Sequence, residues 1–413
     1  MFDAMVASAQ PERVLPMYLP PESELGSGRL WVVGAGKASA AMARVVEQHY
    51  QRQVNGLVIT RYGHAVACDQ IQVVQASHPV PDEAGWRATQ TMLDMVSSLS
   101  EHDTVICLIS GGGSALMPLP MQGLTLHEKQ TLNQALLRSG ASISEINCVR
   151  RHLSAIKGGR LAAACYPARV YTYVISDVPG DQLHDIASGP TVADPTTCAQ
   201  AWEILQRYNI RVGQQVVQSL QNATCESVKP LDARLARAST QLIASPQMGL
   251  EAAAQVCKQA GLQVHILSDR IEGIAQVVGK ELADLACHVW RSGQPFQTPC
   301  VLLSGGETTV ALSGSSGRGG RNVETLLSFG WHLPDDAPME ALFADTDGVD
   351  GTEPIAGAIW SPGMKAQATS LGVSGLDALN RHDAHSFFER MGASVVTGPT
   401  RTNINDFRAI YIA

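Results

Sequence analysis

The stretch Leu108-Ile109-Ser110-Gly111-Gly112-Gly113-Ser114-Ala115-Leu116 decides how the rest of the chain is interpreted. An apolar run before it predicts a strand, and the three glycines predict a tight turn into a helix. Glycine reaches positive φ and has no side chain to block a ligand, so such a turn presents backbone N–H groups to an anion. We therefore predict a phosphate-binding loop at Ser110, Gly111, Gly112, Gly113 and Ser114.

A related pattern occurs later in the chain, where the apolar run Val301-Leu302-Leu303 precedes Ser304-Gly305-Gly306-Glu307. It predicts a second strand that ends in a Ser-Gly-Gly loop, with Gly305, Gly306 and Glu307 as further cofactor-binding residues. Two such strand ends facing each other would define a cleft. The repeated Ser-Gly-Gly pattern is too short to indicate an internal duplication.

Composition limits the class of protein. The chain has 413 residues, of which 45% are apolar and 16% are charged, which is enough for two domains with separate cores. The net charge of −8 argues against nucleic acid as a partner, because phosphate backbones bind positive surfaces. Nine cysteines without a CxxC pair predict reduced thiols rather than a disulfide framework or a zinc site. With no signal-peptide pattern and no long apolar run, we expect a cytoplasmic protein that does not enter a membrane.

The first half of the chain alternates apolar strands with amphipathic helices. Strands are predicted at 30–33, 56–60, 71–75, 104–109 and 170–175, and helices at 38–50, 82–99, 125–138 and from 142 onward. Because these strands are apolar throughout, they are typical of a parallel sheet covered on both faces. We predict a Rossmann-like, doubly wound α/β domain over residues 1–235.

A polar stretch between residues 225 and 239 marks the predicted domain boundary. After it, strands are predicted at 241–244, 263–267, 300–303, 308–312, 341–343, 356–360 and 409–412. Helices are predicted at 250–260 and 274–290 and from 322 onward. Residues 236–413 are therefore expected to form a smaller α/β domain, with the active site in the cleft between the two domains.

Lys37 lies in Gly34-Ala35-Gly36-Lys37-Ala38-Ser39, directly after the first strand. The Walker motif fails here because Trp31 occupies the position of its first glycine. The dinucleotide fingerprint fails because Ser39 replaces its third glycine. Lys37 is then either a cation at a phosphate site, with Gly34 and Gly36 lining the turn, or an ordinary surface lysine.

A basic stretch runs from Arg150 to Arg160. On a continuous helix, Arg150, Ser154 and Lys157 would share one face, which is either an anion site or a solvated basic face. His152, in the same stretch, is more typical of a structural histidine than of a catalytic base. The hydroxyl of Ser114 is either a helix cap or a phosphate donor, and the sequence does not separate the two.

Two acidic loops follow predicted strands. In the first, Asp177 could orient a substrate hydroxyl and Asp181 could hold Mg²⁺, with Gly189 and Thr191 of the following Ile186-Ala187-Ser188-Gly189-Pro190-Thr191 expected to bind the cofactor. In the second, Asp345, Asp347 and Asp350 lie within six residues. Three such carboxylates would repel one another, so we expect a metal at Asp345 and Asp347 or a ring of backbone N–H donors. Turn-forming aspartate remains the alternative for both loops.

The segment Ser316-Gly317-Arg318-Gly319-Gly320-Arg321-Asn322 places two arginines on a glycine-rich loop before a helix. The guanidinium group matches phosphate or carboxylate, and the glycines allow close approach, so this is the strongest anion-site signal in the chain. We predict Arg318 and Asn322 as substrate-binding residues, together with Asn403 of a polar turn before the last strand. A linker is the alternative.

Together, these segments resemble the glycerate 2-kinase family of the type once called hydroxypyruvate reductase, whose C-terminal domain is named MOFRL. The motifs that carry the resemblance span nearly the whole chain: VVGAGKAS, SHPVPDE, LISGGGSAL, INCVRRHLSAIKGGRLA, ISDVPGD, IASGPT, LSGGET, GRGGRN, DTDGVDGT and TNINDF. The resemblance implies ATP-dependent phosphorylation of D-glycerate at its 2-hydroxyl. It also implies that the lysine of the first motif, Lys37, and the arginine of GGRN, Arg321, are catalytic. Val323 departs from the family's usual GGRNQE.

Phosphoryl transfer fits this set of residues, since it needs cations and N–H donors around a group whose charge spreads over its oxygens. The expected cofactors are ATP and Mg²⁺, the expected partners are small molecules, and a homodimer is a compatible assembly. Two alternatives stay open: a nicotinamide-dependent hydroxypyruvate reductase and a non-catalytic binder of anionic metabolites.

Overall fold

The computed structural model describes residues 1–310 and 317–413. The strands, in chain order, are β1 (Leu30–Ala35), β2 (Val54–Arg61), β3 (Gln72–Ala76), β4 (Thr104–Ile109), β5 (Arg169–Ile175), β6 (Ala238–Ala244), β7 (Gln263–Ile274), β8 (Cys300–Thr309), β9 (Met339–Asp345), β10 (Gly357–Trp360), β11 (Ser394–Val395) and β12 (Asp406–Ile412). The helices are α1 (Phe2–Ala7), α2 (Pro11–Val14), α3 (Ser39–His49), α4 (Glu83–Val96), α5 (Gly113–Leu116), α6 (Leu126–Arg138), α7 (Ile143–His152), α8 (Arg160–Cys165), α9 (Cys198–Arg207), α10 (Gln214–Gln221), α11 (Pro246–Gln259), α12 (Ala275–Ser292), α13 (Arg321–His332), α14 (Met364–Ser370), α15 (Gly375–Asn380) and α16 (Ala384–Met391).

The chain folds as two compact units. The first unit is Pro11–Ile243, and the second unit combines Met1–Gln10 with Ala244–Ala413. The N-terminal residues join the second unit through packing: the ring of Phe2 lies 5.8 Å from that of Phe407, and the Thr402 hydroxyl donates to the Ala9 carbonyl over 2.7 Å. The expected division at residue 235 differs from this, because the polar stretch that suggested it lies before the last strand of the first sheet.

The first unit is built on a sheet with the strand order β3-β2-β1-β4-β5-β6. Neighbours from β3 to β5 are parallel, as predicted for a doubly wound domain. Apolar side chains of the strands, among them Val33, Leu57 and Val105, are fully buried in one core with those of α4. The strand expected at 241–244 is β6, which pairs within this sheet instead of starting the second domain.

The strand order reverses between β1 and β4. The chain runs outward from β1 to β2 and β3, then returns to build β4, β5 and β6 on the other side. In open parallel sheets, ligands bind in the crevice beyond the carboxyl ends of the strands at such a switch point. The loops after β1 and β4 are the two glycine-containing segments singled out in the sequence.

The second unit has a mixed sheet with the order β11-β10-β9-β12-β8-β7. β7 and β8 are parallel, and the pairs of β12 with β8 and with β9 are antiparallel. A buried core that includes Phe329, Phe343 and Phe387 packs α12, α13 and α16 on this sheet. The second unit is thus also α/β, as predicted, although α14, α15 and α16 were not foreseen.

The second Ser-Gly-Gly segment is not a loop, which corrects the sequence prediction. Gly305, Gly306 and Glu307 lie inside β8, where Gly306 pairs with Ile271 of β7. A Cβ on Gly306 would lie 2.2 Å from the Ile271 carbonyl oxygen, so glycine is required by strand packing across a bulge. The strand predicted at 308–312 is the end of β8 as far as Thr309, and its residues 311–312 lie outside the described residues.

Helix starts follow the local sequence signals. Ser142 and Glu145 form a capping box at the start of α7, as predicted. α7 ends at His152, and Leu153 leaves the helical conformation. Ser154 and Lys157 therefore do not share a helix face with Arg150, because they follow the end of the helix.

Candidate active site

The loops after β1 and β4 contact each other at the switch point of the first sheet. The Lys37 amide donates to the Gly111 carbonyl over 2.9 Å, and the Ala38 amide donates to the Ser110 hydroxyl over 2.9 Å. The Ser110 amide in turn donates to the Ala35 carbonyl over 3.2 Å. Two segments that are more than seventy residues apart in sequence thus form one turn structure around Lys37.

Glycine is required in this structure for two physical reasons. At Gly36, φ is +146° and a Cβ would lie 2.1 Å from the Ser110 hydroxyl oxygen, so a side chain would separate the two loops. At Gly112, which precedes α5, φ is +81°, a left-handed conformation that side chains disfavour. Gly34 lies within β1, and a Cβ there would clash with the Leu108 carbonyl of β4. Glycine at this position therefore allows the two strands to pack.

Ser114 is held by two contacts that the sequence did not predict. Its hydroxyl oxygen lies 2.5 Å from that of Ser188, and its carbonyl accepts a hydrogen bond from the Lys157 ammonium over 2.8 Å. Lys157 is only 1% exposed, and burial lowers its pKa well below the ordinary value. The hydroxyl of Ser114 is therefore a side-chain contact to a neighbouring loop rather than a cap of α5.

The loop that carries Ser188 is strained. Ala187 and Ser188 have φ of 50° and 60°, and Gly189 follows with φ of 58°. Non-glycine residues rarely adopt this conformation, and it persists only where the surroundings impose it. The Ser188 and Gly189 carbonyls accept from the amides of Gly158 and Gly159.

A cluster of ion pairs flanks the same loop. Arg151 lies 2.9 Å from a carboxylate oxygen of Asp185 and 3.0 Å from one of Asp194, and all three are buried. Asn147 donates to Asp185 over 3.1 Å. The basic stretch of the sequence thus provides internal supports, not the continuous cationic face considered as one alternative.

The remaining predicted residues of the first unit follow β5, the neighbour of β4, along the chain. Asp177 follows β5 after the buried Ser176, and Asp181 adopts a positive φ of 53°. Thr191 is buried, and its hydroxyl lies 3.5 Å from that of Thr240. Because β4 and β5 are parallel, Asp177 lies at the same edge of the sheet as Ser110, whereas Thr191 contacts β6.

In the second unit, Arg321 begins α13 and is surrounded by carboxylates. Its Nε lies 2.8 Å from Asp406, one terminal nitrogen lies 2.7 Å from Asp345, and the other lies 3.5 Å from Glu307. Burial opposes the charge, but attraction to these carboxylates outweighs it and raises the pKa of Arg321 well above its ordinary value. Arg321 is permanently a cation at this position.

The acidic loop after β9 is held by backbone donors, one of the two arrangements expected from the sequence. Asp345 accepts from the amide of Asp347, and Asp347 accepts from the amide of Val349, each over 2.9 Å. Asp350 accepts from the amides of Asn322 and Val323 at the start of α13. Burial raises the pKa of Asp350 to about 6.

Asn322 and Arg408 complete the surroundings of Asp406. The Asn322 carboxamide donates to Asp406 over 2.9 Å, and Arg408, which is 0% exposed, donates to the other carboxylate oxygen over 2.7 Å. Asn403, in the polar turn before β12, is buried and accepts from the amide of Asn405. Sequence analysis missed Asp406 and Arg408, which look like ordinary residues of the last strand.

Arg318 is placed differently from Arg321. Its side chain is half exposed, donates to Glu353 over 2.9 Å and to Glu389 over 3.0 Å, and contacts His385. Attraction to these carboxylates raises the pKa of Arg318. The two arginines of the GRGGRN segment therefore have separate acidic partners.

A polar cluster that was not predicted as a site surrounds His152. A ring nitrogen of His152, the sulfur of Cys198 and a carboxylate oxygen of Glu226 lie within 4.8 Å of one another. Glu226 accepts from His152 over 2.8 Å and pairs with Lys229 over 2.6 Å, which explains the cluster as an ion-pair network. His152 is fully buried, as expected of a structural histidine.

Comparison with known proteins places this geometry in a family. Residues 1–221 match the family described as Domain of unknown function (DUF4147), and residues 300–406 match the MOFRL family. Over residues 1–310 and 317–413, no helix is both long enough and apolar enough to span a membrane.

Relatives match along nearly the whole chain. The D-glycerate 2-kinase of Thermotoga maritima is 36% identical over 96% of this chain and 93% of its own length. The crystal structure of glycerate kinase from the same organism superposes with a TM-score of 0.89, at 35% identity, covering 100% of this chain and 97% of that one. A protein of Agrobacterium vitis named putative hydroxypyruvate reductase is 46% identical over 100% of this chain and 93% of its own length.

Its glycerate kinase relatives identify this two-unit α/β chain as a phosphotransferase. With full-length relatives above 30% identity, the chain belongs to the glycerate 2-kinase family with a MOFRL domain.

Proposed function

We propose that this protein transfers the γ-phosphoryl group of ATP to the 2-hydroxyl of D-glycerate, giving 2-phosphoglycerate and ADP. The observation that carries the proposal is the contact between the Lys37 and Ser110–Ser114 loops at the switch point of a parallel sheet, in a chain of this family. Such a crevice suits an anionic ligand, because glycine-containing loops follow two adjacent parallel strands there and one of these loops carries a lysine.

On this proposal, Lys37 neutralises phosphate oxygens as a point charge, while the glycine loops allow the nucleotide to approach the main chain. The nucleotide-binding residues would be Gly34, Gly36, Ser110, Gly111, Gly112, Gly113, Ser114, Gly189, Thr191, Gly305, Gly306 and Glu307. Of these, Gly34, Gly305 and Gly306 act through strand packing, since each lies within a strand.

Arg321 would stabilise the transferring phosphoryl group, whose charge spreads over its oxygens in the transition state. Exclusion of water from the site would limit hydrolysis of ATP. On the acceptor side, Asn322 and Asn403 would orient the substrate through amide contacts. Arg318 would bind the glycerate carboxylate only if that carboxylate replaced Glu353 or Glu389 as its partner.

Asp177 would orient the acceptor hydroxyl and accept its proton, a role that suits a carboxylate beyond a strand end. Asp345 and Asp347 fit a Mg²⁺ ion, because they present carboxylate oxygens from one turn, and Asp181 is a third candidate ligand. When bound, Mg²⁺ would supply charge neutralisation to the phosphates.

We further propose that the enzyme is cytoplasmic and forms a homodimer. Its partners would be small molecules, and it would bind neither nucleic acid nor membranes. The net charge of −8 supports the exclusion of nucleic acid, and nine free cysteines support a reducing compartment.

The test is ADP release with D-glycerate, ATP and MgCl₂, followed by NMR identification of the phosphorylated hydroxyl. Formation of 2-phosphoglycerate supports the proposal, and 3-phosphoglycerate contradicts it. NADH or NADPH oxidation with hydroxypyruvate would instead support the reductase named in relatives. Tight ligand binding without ADP release would support a metabolite binder.

A further inference from the structure

Two thiols of the first unit lie side by side in a position that the kinase reaction does not use. Cys198 is the first residue of α9, and Cys225 follows α10, so the pair joins the two ends of this helical hairpin. Their sulfur atoms are 3.5 Å apart, and the residues are 1% and 7% exposed. A disulfide bond is about 2.05 Å long, so a modest shift of one side chain would close it.

The surroundings of the pair favour a thiolate at Cys225. The Cys198 and Cys225 sulfurs share a hydrogen bond, and the Arg160 guanidinium lies nearby, so the pKa of Cys225 is lowered while that of Cys198 is raised. Arg160 also donates to the Cys225 carbonyl over 2.6 Å. Thiolates beside cations are the nucleophilic form of cysteine.

Hydrogen bonds connect the segment that follows Cys225 with the loop that contacts Ser114. The Val228 amide donates to the Gly158 carbonyl over 3.0 Å, and the Gly158 amide donates to the Ser188 carbonyl over 3.1 Å. Ser188 in turn contacts Ser114 through its hydroxyl. Arg160 gives a second route, since it donates to the Lys157 carbonyl over 2.9 Å and the Lys157 ammonium donates to Ser114.

We propose that Cys198 and Cys225 are a reversible oxidation site that forms an intramolecular disulfide with peroxides and thereby slows phosphoryl transfer. The effect on turnover rests on the proposed function of the Ser110–Ser114 loop, whereas the disulfide itself does not. Disulfides of this kind in reducing compartments are typically transient and regulatory.

The chemistry is a two-electron oxidation of the thiol pair. The Cys225 thiolate attacks one oxygen of hydrogen peroxide, the O–O bond breaks, and the departing hydroxide takes a proton to leave as water. Cys225 is then a sulfenic acid. The Cys198 sulfur attacks the Cys225 sulfur, the S–O bond breaks, and a second water leaves with the thiol proton. Two thiols are oxidised and one peroxide is reduced to two waters.

The test treats the full-length protein with hydrogen peroxide, blocks remaining thiols with iodoacetamide and maps cysteines by peptide mass spectrometry. We expect a cross-linked peptide pair that contains Cys198 and Cys225 and disappears with dithiothreitol. In Cys198→Ser, Cys225 should instead accumulate as a sulfenic acid that dimedone traps. In Cys225→Ser, Cys198 should remain a thiol.

Cys68→Ser is the matched control, because Cys68 is more exposed but burial raises its pKa to about 11 and no second thiol contacts it among the described residues. This variant should form the Cys198–Cys225 bond at the wild-type rate. Oxidised wild-type protein should lose ADP release by at least about fivefold, the lower end of coupling between separate sites, and regain it with dithiothreitol.

Oxidation of Cys68 without a Cys198–Cys225 cross-link would overturn the proposal. A cross-link that leaves ADP release unchanged would overturn its regulatory part. Because the cross-link is measured by mass, it is informative even if the protein proves not to phosphorylate glycerate. Cys198→Ala provides a second variant if the serine at this buried position impairs folding.

Discussion

The Nε of Arg321 lies 2.8 Å from one carboxylate oxygen of Asp406, whose other oxygen lies 2.7 Å from the terminal nitrogen of the buried Arg408. Asp406 therefore links a partly accessible arginine to one that is fully enclosed. This arrangement fixes the orientation of the Arg321 guanidinium at the start of α13.

Arg321→Ala should lower turnover by about 10³ or more, if Arg321 stabilises the transferring phosphoryl group as a finger-like cation. The measurement is ADP release at saturating ATP and D-glycerate. Arg390→Ala is the control, because Arg390 is an exposed arginine of α16 to which no role in the reaction is assigned. A loss below tenfold for Arg321→Ala would count against its role.

Lys37→Ala should lower turnover by about 10²-fold or more, as expected when a donor to developing negative charge is removed from a preorganised site. Urea denaturation of the same variant measures its stability, so that a loss of turnover is separated from a loss of folded protein. Lys258→Ala, on the exposed surface of α11, should change neither quantity. Equal turnover in the two variants would exclude Lys37 from the reaction.

Asp406→Ala should reduce the free energy of unfolding by about 3–5 kcal/mol, because it leaves the buried Arg408 without its carboxylate. Urea denaturation followed by circular dichroism measures this change. The double variant Asp406→Ala with Arg408→Met should recover part of the loss, since no unpaired charge remains buried. A decrease in the free energy of unfolding of less than about 1 kcal/mol in Asp406→Ala is typical of exposed ion pairs. It would show that the Asp406–Arg408 pair does not stabilise the fold.

Gly112→Ala and Gly63→Ala form a matched pair, because both glycines have φ of +81°. Both variants should bear a similar backbone strain of roughly 1 kcal/mol. A Cβ at Gly112 would also lie 3.0 Å from the His78 ring, whereas one at Gly63 meets nothing within 4 Å. We expect the KM for ATP to rise in Gly112→Ala only, and equal KM values would contradict the assignment of this loop.

Lys129 predicts a pH dependence of stability. Its ammonium is buried and donates to the Leu153 carbonyl over 3.1 Å, and burial lowers its pKa from 10.5 to about 7. Between these two values the unfolded chain holds a proton that the folded protein lacks, so the free energy of unfolding should rise with pH across this window. Urea midpoints measured from pH 7 to pH 10 should rise less steeply in Lys129→Met than in the wild type. Equal slopes for the two proteins would refute the lowered pKa of Lys129.

The sequence predicted the first unit well because its signals are local. Apolar strands and capping residues, such as Ser142 with Glu145, define elements without reference to distant parts of the chain. The predicted boundary at residue 235 differs from the division between the compact units, which falls after Ile243 and groups Met1–Gln10 with the second unit. The assignment of Met1–Gln10 depends on packing against residues such as Phe407, which are distant in sequence.

The second Ser-Gly-Gly segment shows the limit of motif reasoning. Its letters match those of the first, yet Gly305 and Gly306 remain inside β8 because β7 supplies a pairing partner beyond the bulge. Whether a glycine pair turns or continues as a strand depends on the neighbouring strand, which local sequence does not specify.

The sequence by itself determined the family, the alternation of strands and helices, and the residue types suited to phosphate. Only the tertiary structure decided which of these residues meet: it brought Gly111 to the Lys37 amide, Ser188 and Lys157 to Ser114, and Arg321 to Asp406. The physical reason is that these contacts depend on strand order and burial. Both are set by the packing of the whole unit, whereas helix and strand patterns are set by neighbours along the chain.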